Sequence, residues 1–163
     1  MNRLIRSFGV VLTLASSMAM ADKTAEVKQV RLINADAGTE KVIGTVSMQE
    51  TKKGTYAATF TPDDSQFGDY FLSMRPFKCL ETPEQLLCHL PYPYKNEHTI
   101  SDENLGGLEY QFLFIRKAPN DYGINPWYGV YYKMQWVDQP GGAIKGVVHE
   151  TDLDILAAPP SDP

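Results

Sequence analysis

The chain has 163 residues, a formal net charge of −5, 43% hydrophobic residues and 21% charged residues. These values are typical of one globular domain and exclude a disordered chain, a coiled coil or a collagen. The acidic balance argues against nucleic acid and against an anionic membrane surface as partners, because both require clustered Lys and Arg. Tyr and Pro are frequent, with 9 and 11 residues, whereas Cys and His are scarce, with 2 and 3.

The first 21 residues, MNRLIRSFGVVLTLASSMAMA, have the three parts of a secretory signal peptide. Arg3 and Arg6 give the positive start, residues 8–15 the short apolar run, and Ala19 and Ala21 the small-residue cleavage site. The apolar run is shorter than the about 20 residues that a membrane-spanning helix needs. We therefore expect cleavage after Ala21 and export to a bacterial periplasm, with the extracellular space as the alternative destination.

Cleavage changes the charge of the chain. Removing 21 of 163 residues leaves 142, and the loss of two arginines leaves 13 basic residues against 20 acidic ones, a net charge of −7. We expect a signal peptide over 1–21, a single soluble β domain over 22–156, and a disordered tail, AAPPSDP, over 157–163.

Alternation of apolar and polar residues with a period of two predicts that the domain is made of strands. The clearest runs are 126–137, PWYGVYYKMQWV, and Leu108 to Ile115. Two further alternating sets lie at 56–60 and 70–74, and weaker runs predict strands at 27–33, 42–48 and 143–149. Turn signals separate most of them, and KKGT before Thr55 predicts a hairpin connection with Gly in the left-handed conformation. This pattern predicts an all-β fold, an antiparallel β-sandwich or a barrel-like domain.

Cys79 and Cys88 are the only cysteines, and an even number in an exported protein predicts a disulfide. The intervening Thr82-Pro83-Glu84-Gln85 is typical of a helix start, with Thr82 as its cap, and one helical turn would bring the two sulfurs together. The alternative, a redox pair, usually has C-x-x-C spacing, which is absent. The surrounding residues 75–100 are predicted to be an ordered irregular segment, stapled by this bond, of a kind that often carries function.

One helical turn is also predicted after this segment, capped by Thr99 and ended by Gly106-Gly107.

Little catalytic chemistry can be assigned. His89, His98 and His149 fit neither H-x-H nor H-E-x-x-H spacing, the usual metal patterns. There is no G-x-S-x-G elbow, and a disulfide leaves no free thiolate. We therefore predict no catalytic residue, no metal and no cofactor. The alternative is a periplasmic hydrolase or a metal-binding protein that assembles a site from these three histidines and distant residues.

Aromatic residues carry the main hint of function. Pro91-Tyr92-Pro93-Tyr94 is stiff, because each proline restricts its own backbone and that of the residue before it. Such a segment can present rings to a sugar, a peptide or a proline-rich partner at low entropic cost. Trp127 and Tyr131 lie on the more polar face of their strand and extend the set. The alternative is that these rings only fill strand and core positions. The candidate ligand-binding residues are Tyr92, Tyr94, Trp127 and Tyr131.

The run VRLINADAGTEKVIGTVSMQETKKGTY resembles the first hairpin of exported copper–zinc superoxide dismutases, through Gly44-Thr45-Val46 and the following E-T-x-x-G. Where that family has H-x-H, at about 70–80, this chain has FLSMRPFK. The resemblance therefore implies a β-sandwich and no metal ligands.

Most of the mature chain is similar to a family of small exported proteobacterial proteins of uncharacterised function. The similarity is carried by RPFKCLETPEQLLCHLPYPY, LEYQFLFIRK and DYGINPWYGVYYK. It implies an ordered disulfide loop and no particular activity. Because no catalytic set is found and the segment Pro91-Tyr92-Pro93-Tyr94 is stiff and aromatic, the chain is expected to be a non-catalytic binding or envelope-associated module, with an envelope protein or a glycan as its partner.

Overall fold

The structure is a computed structural model that describes residues 24–73, 75–82, 85–118, 120–121 and 123–153, with the backbone alone at position 126. The predicted signal peptide and the predicted disordered tail lie outside these residues. In chain order the elements are β1 (Glu26–Asn34), β2 (Thr39–Lys52), β3 (Thr55–Pro62), β4 (Gly68–Phe71), β5 (Pro76–Glu81), β6 (Leu86–His89), β7 (Thr99–Ser101), α1 (Gly106–Glu109), β8 (Phe114–Lys117), a 3-10 helix (Pro126–Tyr128), β9 (Gly129–Trp136) and β10 (Ile144–Thr151).

The strands form two open antiparallel sheets, which confirms the predicted all-β sandwich. The four-stranded sheet has the order β1-β2-β3-β7, and the six-stranded sheet has the order β10-β9-β8-β6-β5-β4. Buried side chains from both sheets and from α1 share one core, which includes Ile43, Val46, Met48, Ala58, Phe60, Leu80, Leu87, Ile100, Leu108, Phe114 and Val130. No helix in the described residues combines the length and apolar character that crossing a membrane would require.

Most strands with regular alternation lie where the sequence predicts them. The strands predicted at 27–33, 42–48, 56–60 and 143–149 are confirmed as β1, β2, β3 and β10. The KKGT connection is a hairpin turn in which Gly54 has a φ of +72°, a conformation that glycine adopts without a Cβ clash. In β9 the alternate residues Val130, Tyr132, Met134 and Trp136 pack on the core, as predicted. The run at 70–74 is a strand only through Phe71, and Met74 lies outside the described residues.

The prediction of a strand from Leu108 to Ile115 is wrong for the residues before Phe114. Residues 106–109 form α1, and β8 begins only at Phe114. Leu108 and Phe112 are four residues apart, so one helical turn buries both side chains as well as an alternating strand would.

The prediction of a helical turn that Thr99 caps and Gly106-Gly107 ends is wrong. Thr99 lies in β7, and the two glycines begin α1. A Cβ at Gly107 would collide with the backbone oxygen of Thr99, so the helix can pack on β7 only with glycine there. The backbone N–H of Gly106 donates to Oδ1 of Asn104 at 2.8 Å, which satisfies one free donor at the helix start.

The predicted disulfide between Cys79 and Cys88 is confirmed, but it bridges two strands rather than a helical loop. The two residues lie directly opposite each other in β5 and β6. Oγ1 of Thr82 accepts the N–H of Gln85 at 3.1 Å and donates to its carbonyl at 2.9 Å. The predicted capping hydrogen bond therefore forms, yet it closes a β-hairpin turn instead of starting a helix. Pro83 and Glu84 of that prediction lie outside the described residues.

The irregular segment is therefore shorter than the predicted range of 75–100. Its first half is the hairpin of β5 and β6, and residues 90–98 are the longest stretch without regular structure among its described residues. The bond lies on the face of the six-stranded sheet that points away from the main core, in a disulfide cluster of Phe77, Cys79, Leu86 and Cys88. Tyr70, Leu72, Leu90 and Ile124 pack against this cluster.

Removing the disulfide is expected to destabilise the fold without changing it. A closed loop of this length restricts the unfolded chain by about 2–3 kcal/mol, so the Cys79→Ala/Cys88→Ala variant should lose that much free energy of unfolding in a urea titration. Dithiothreitol should lower the stability of the wild type to a similar degree and leave the variant unchanged. A loss below about 1 kcal/mol in the variant would contradict this role.

Candidate functional site

The segment 90–98 connects the two sheets and carries the stiff aromatic sequence. At its start, the N–H of Leu90 donates to the carbonyl of Leu113 at 2.9 Å. Near its end, Nδ2 of Asn96 donates to the carbonyl of Gly107 at 2.9 Å, and the carbonyl of His98 accepts the N–H of Ala58 at 2.7 Å. The segment is therefore held at both ends by hydrogen bonds to three different parts of the fold.

Three tyrosine rings meet on this segment. The ring centroids of Tyr92 and Tyr94 are 5.4 Å apart with an interplanar angle of 66°, and those of Tyr92 and Tyr110 are 4.5 Å apart with an angle of 37°. Both arrangements are favourable for aromatic pairs. Tyr94 is 49% exposed, whereas Tyr92 and Tyr110 are half-buried. We call these three residues the tyrosine surface.

Within the tyrosine surface, the hydroxyl group of Tyr92 stays protonated. Burial raises the pKa of Tyr92 above its usual value, and the neighbouring Tyr110 and Tyr94 raise it further. The Tyr92 hydroxyl is therefore a neutral donor and acceptor at physiological pH, beside a ring face that offers apolar contact.

Tyr110 was not among the predicted binding residues. The alternating pattern places it on the same strand face as Leu108, but the chain leaves α1 at this point and directs Tyr110 to Tyr92. The only signal in the sequence is that Tyr110 lies between two polar residues, Glu109 and Gln111, at the start of an otherwise apolar run.

The other two predicted residues belong to the far side of the six-stranded sheet. Trp127 lies in the 3-10 helix and is 67% exposed. Tyr131 lies on β9 and stacks on His149 of β10, with centroids 5.5 Å apart and an angle of 28°. Of the four predicted residues, Tyr92 and Tyr94 thus lie together, whereas Trp127 and Tyr131 lie on other elements, and the four do not form one platform.

The three histidines also have different environments. Nε2 of His89 lies 3.0 Å from the carbonyl of Gln111, with the rings of Phe60 and Phe114 beside it. His98 is exposed and has a φ of +52°, and His149 is exposed on β10. Among the residues that the structure describes, none of the three forms an ion pair, and no group of three or more His, Cys, Asp or Glu side chains is close enough to share a metal ion.

Gln111 positions the tyrosine surface. Its side-chain Nε2 donates to the carbonyls of Ala58 at 2.9 Å and Gly107 at 2.7 Å, and its Oε1 accepts the N–H of Phe60 at 2.8 Å. Its own carbonyl accepts the hydrogen bond from His89. One residue thus joins β3 of the four-stranded sheet to β6 of the six-stranded sheet, directly beside Tyr110.

Loss of the Gln111 amide should therefore be costly. In Gln111→Ala the N–H of Phe60 loses its side-chain acceptor and the carbonyl of Ala58 its side-chain donor, and an unsatisfied buried group costs about 1–3 kcal/mol. We expect the free energy of unfolding to fall by about 2–4 kcal/mol in a urea titration. Gln135→Ala, at an exposed position of β9, is the matched control and should be neutral. A loss in Gln111→Ala no greater than in the control would be incompatible with this role.

Stability should also depend on the protonation of His89. Burial lowers the pKa of His89 below its usual 6.5, and the hydrogen bond to Gln111 raises it by a smaller amount. The unfolded chain therefore binds a proton more readily, so the free energy of unfolding should fall as the pH drops below about 6.5.

Unfolding measured at about pH 7.5 and pH 5.5 would test this dependence. The decrease should be smaller in His89→Phe and should persist in His149→Gln, because that variant keeps His89. An equal decrease in His89→Phe and the wild type would show that other groups cause it.

Comparison of the chain with models of protein families, with curated proteins and with solved structures finds no match. The two resemblances noted in the sequence therefore stay predictions.

Proposed function

We propose that the protein is an exported, non-catalytic binding module of the bacterial envelope, and that the tyrosine surface contacts a protein partner there. The observation that carries the proposal is the exposed Tyr94 ring, set against a Tyr92 ring that also contacts Tyr110. Tyrosine is enriched among the residues that dominate binding energy at protein interfaces.

The contacts that hold the surface in place favour binding. A ring that is already fixed by its neighbours loses little conformational entropy when a partner covers it. Pro91 and Pro93 restrict the backbone, and Asn96 ties the segment to α1. The surface is thus formed before the partner arrives.

The surroundings of the tyrosine surface also suit a protein partner. Lys95 and Glu97 lie next to it in the chain, are exposed, and form an ion pair of 2.5 Å. Aromatic residues beside exposed charges are the usual composition of an interface centre and its polar rim.

Export is supported by two features. The first 21 residues have the composition of a signal peptide, and the only two cysteines are joined. Disulfides persist in the periplasm and outside the cell but are rare in the cytosol.

A photo-crosslinking phenylalanine analogue at position 94, which keeps an aromatic ring there, tests the proposal in intact cells of the source organism. We expect position 94 to give a crosslink to one envelope protein. Phe71, which is 76% exposed on the edge strand β4, is the matched control position and should not give this product. The partner, once purified, should bind Tyr94→Ala at least about tenfold more weakly than the wild type, as expected for a residue that dominates an interface.

Three results would count against the proposal. These are no crosslink at position 94, the same product from positions 71 and 94, and unchanged affinity of the purified partner for both Tyr92→Ala and Tyr94→Ala. The melting temperatures of the variants must be compared first, since Tyr92 is half-buried and its loss can loosen the segment.

A further inference from the structure

A cleft lies at the opposite end of β8 from the tyrosine surface. It has a volume of about 200 Å³ and is lined by Arg116, Lys117, Asp121, Gly123, Asn125 and Tyr128. The loop between β8 and β9 supplies most of these residues. We call this site the loop cleft.

Contacts within the protein hold the loop cleft in shape. Lys117 is only 7% exposed, and its ammonium group donates to the carbonyls of Ala118, at 3.2 Å, and of Asp121. Ile124 packs on the disulfide cluster. Oδ1 of Asn125 accepts the N–H of Trp127 at 3.0 Å. A site preformed in this way binds a ligand without first ordering its own residues.

Several polar groups of the loop cleft have no partner in the described part of the protein. They are the carboxylate of Asp121, the amide N–H groups of Asn125 and the hydroxyl of Tyr128. Together they provide an acceptor, a donor and a group that can do either. Tyr128 also exposes 54% of its surface, and the adjacent Trp127 exposes 67%. Small-molecule sites typically combine a few polar groups with aromatic rings beside them.

The charges indicate a neutral ligand. Arg116 is paired with Glu150, and the ammonium of Lys117 is already bonded to two carbonyls. The carboxylate of Asp121 adds a negative charge to the lining. A phosphate or carboxylate would therefore meet no unpaired cation and would be repelled by Asp121.

We propose that the loop cleft binds one ring of a neutral saccharide. Sugar hydroxyls donate to Asp121 and accept from Asn125, and the apolar face of the ring lies against Tyr128 or Trp127. None of these residues belongs to the tyrosine surface. The inference thus goes beyond the proposed protein partner and does not depend on it.

Calorimetric titration of the purified protein with maltotriose, cellotriose and triacetylchitotriose tests this inference. We expect saturable binding of at least one of them. Asp121→Ala and Tyr128→Ala should each weaken that binding at least about tenfold, since each removes a hydrogen bond or a stacking face. Tyr94→Ala is the matched tyrosine control and should bind as the wild type does. Trigalacturonate and inorganic phosphate should bind more weakly than the neutral sugar.

Amide chemical shifts give a second measurement that needs no variant. The neutral sugar should shift the backbone amides of Gly123 and Asn125 in the wild type. The inference is overturned if none of the three sugars binds, if both variants bind as tightly as the wild type, if the anions bind better, or if the shifts map to residues 92–96 instead. These outcomes are independent of the crosslinking result at position 94.

Discussion

The side chain of Gln111 takes the place of a neighbouring strand along part of β3 in the four-stranded sheet. β7 pairs with β3 only at Thr55–Ala57, so the following residues of β3 need other partners on that side. The amide of Gln111 supplies hydrogen bonds to Ala58 and Phe60, much as a further strand residue would. Because its backbone carbonyl also contacts His89 of β6, the same residue ties both sheets together.

This cross-connection determines where the neighbouring aromatic rings lie. On one side of Gln111, Phe112 enters the core, where its ring centroid is 4.2 Å from that of Phe60. On the other side, Tyr110 reaches the segment 90–98 and contacts Tyr92. The tyrosine surface is therefore built on a half-buried polar contact between the sheets, not on local stiffness alone.

The strands of the hairpins could be predicted because their alternation and their turn residues are local properties of the sequence. The region 106–113 could not, because the spacing of Leu108 and Phe112 suits a helical turn and a strand equally well. Its structure is decided by contacts outside the run: the packing of Gly107 on Thr99, and the bonds from Gln111 to residues 51 and 53 positions away. The same reason explains why Tyr92 and Tyr94 could be proposed from the sequence and Tyr110 could not.

The loop cleft was not predictable either, since its shape depends on how the loop after β8 crosses the six-stranded sheet. The loop after β8 and the segment 90–98 share one support. Leu90, where the segment 90–98 begins, and Ile124, in the middle of the loop, both pack on the disulfide cluster. The bond between Cys79 and Cys88 therefore fixes the sheet face on which both surfaces rest, whereas Gln111 acts next to only one of them.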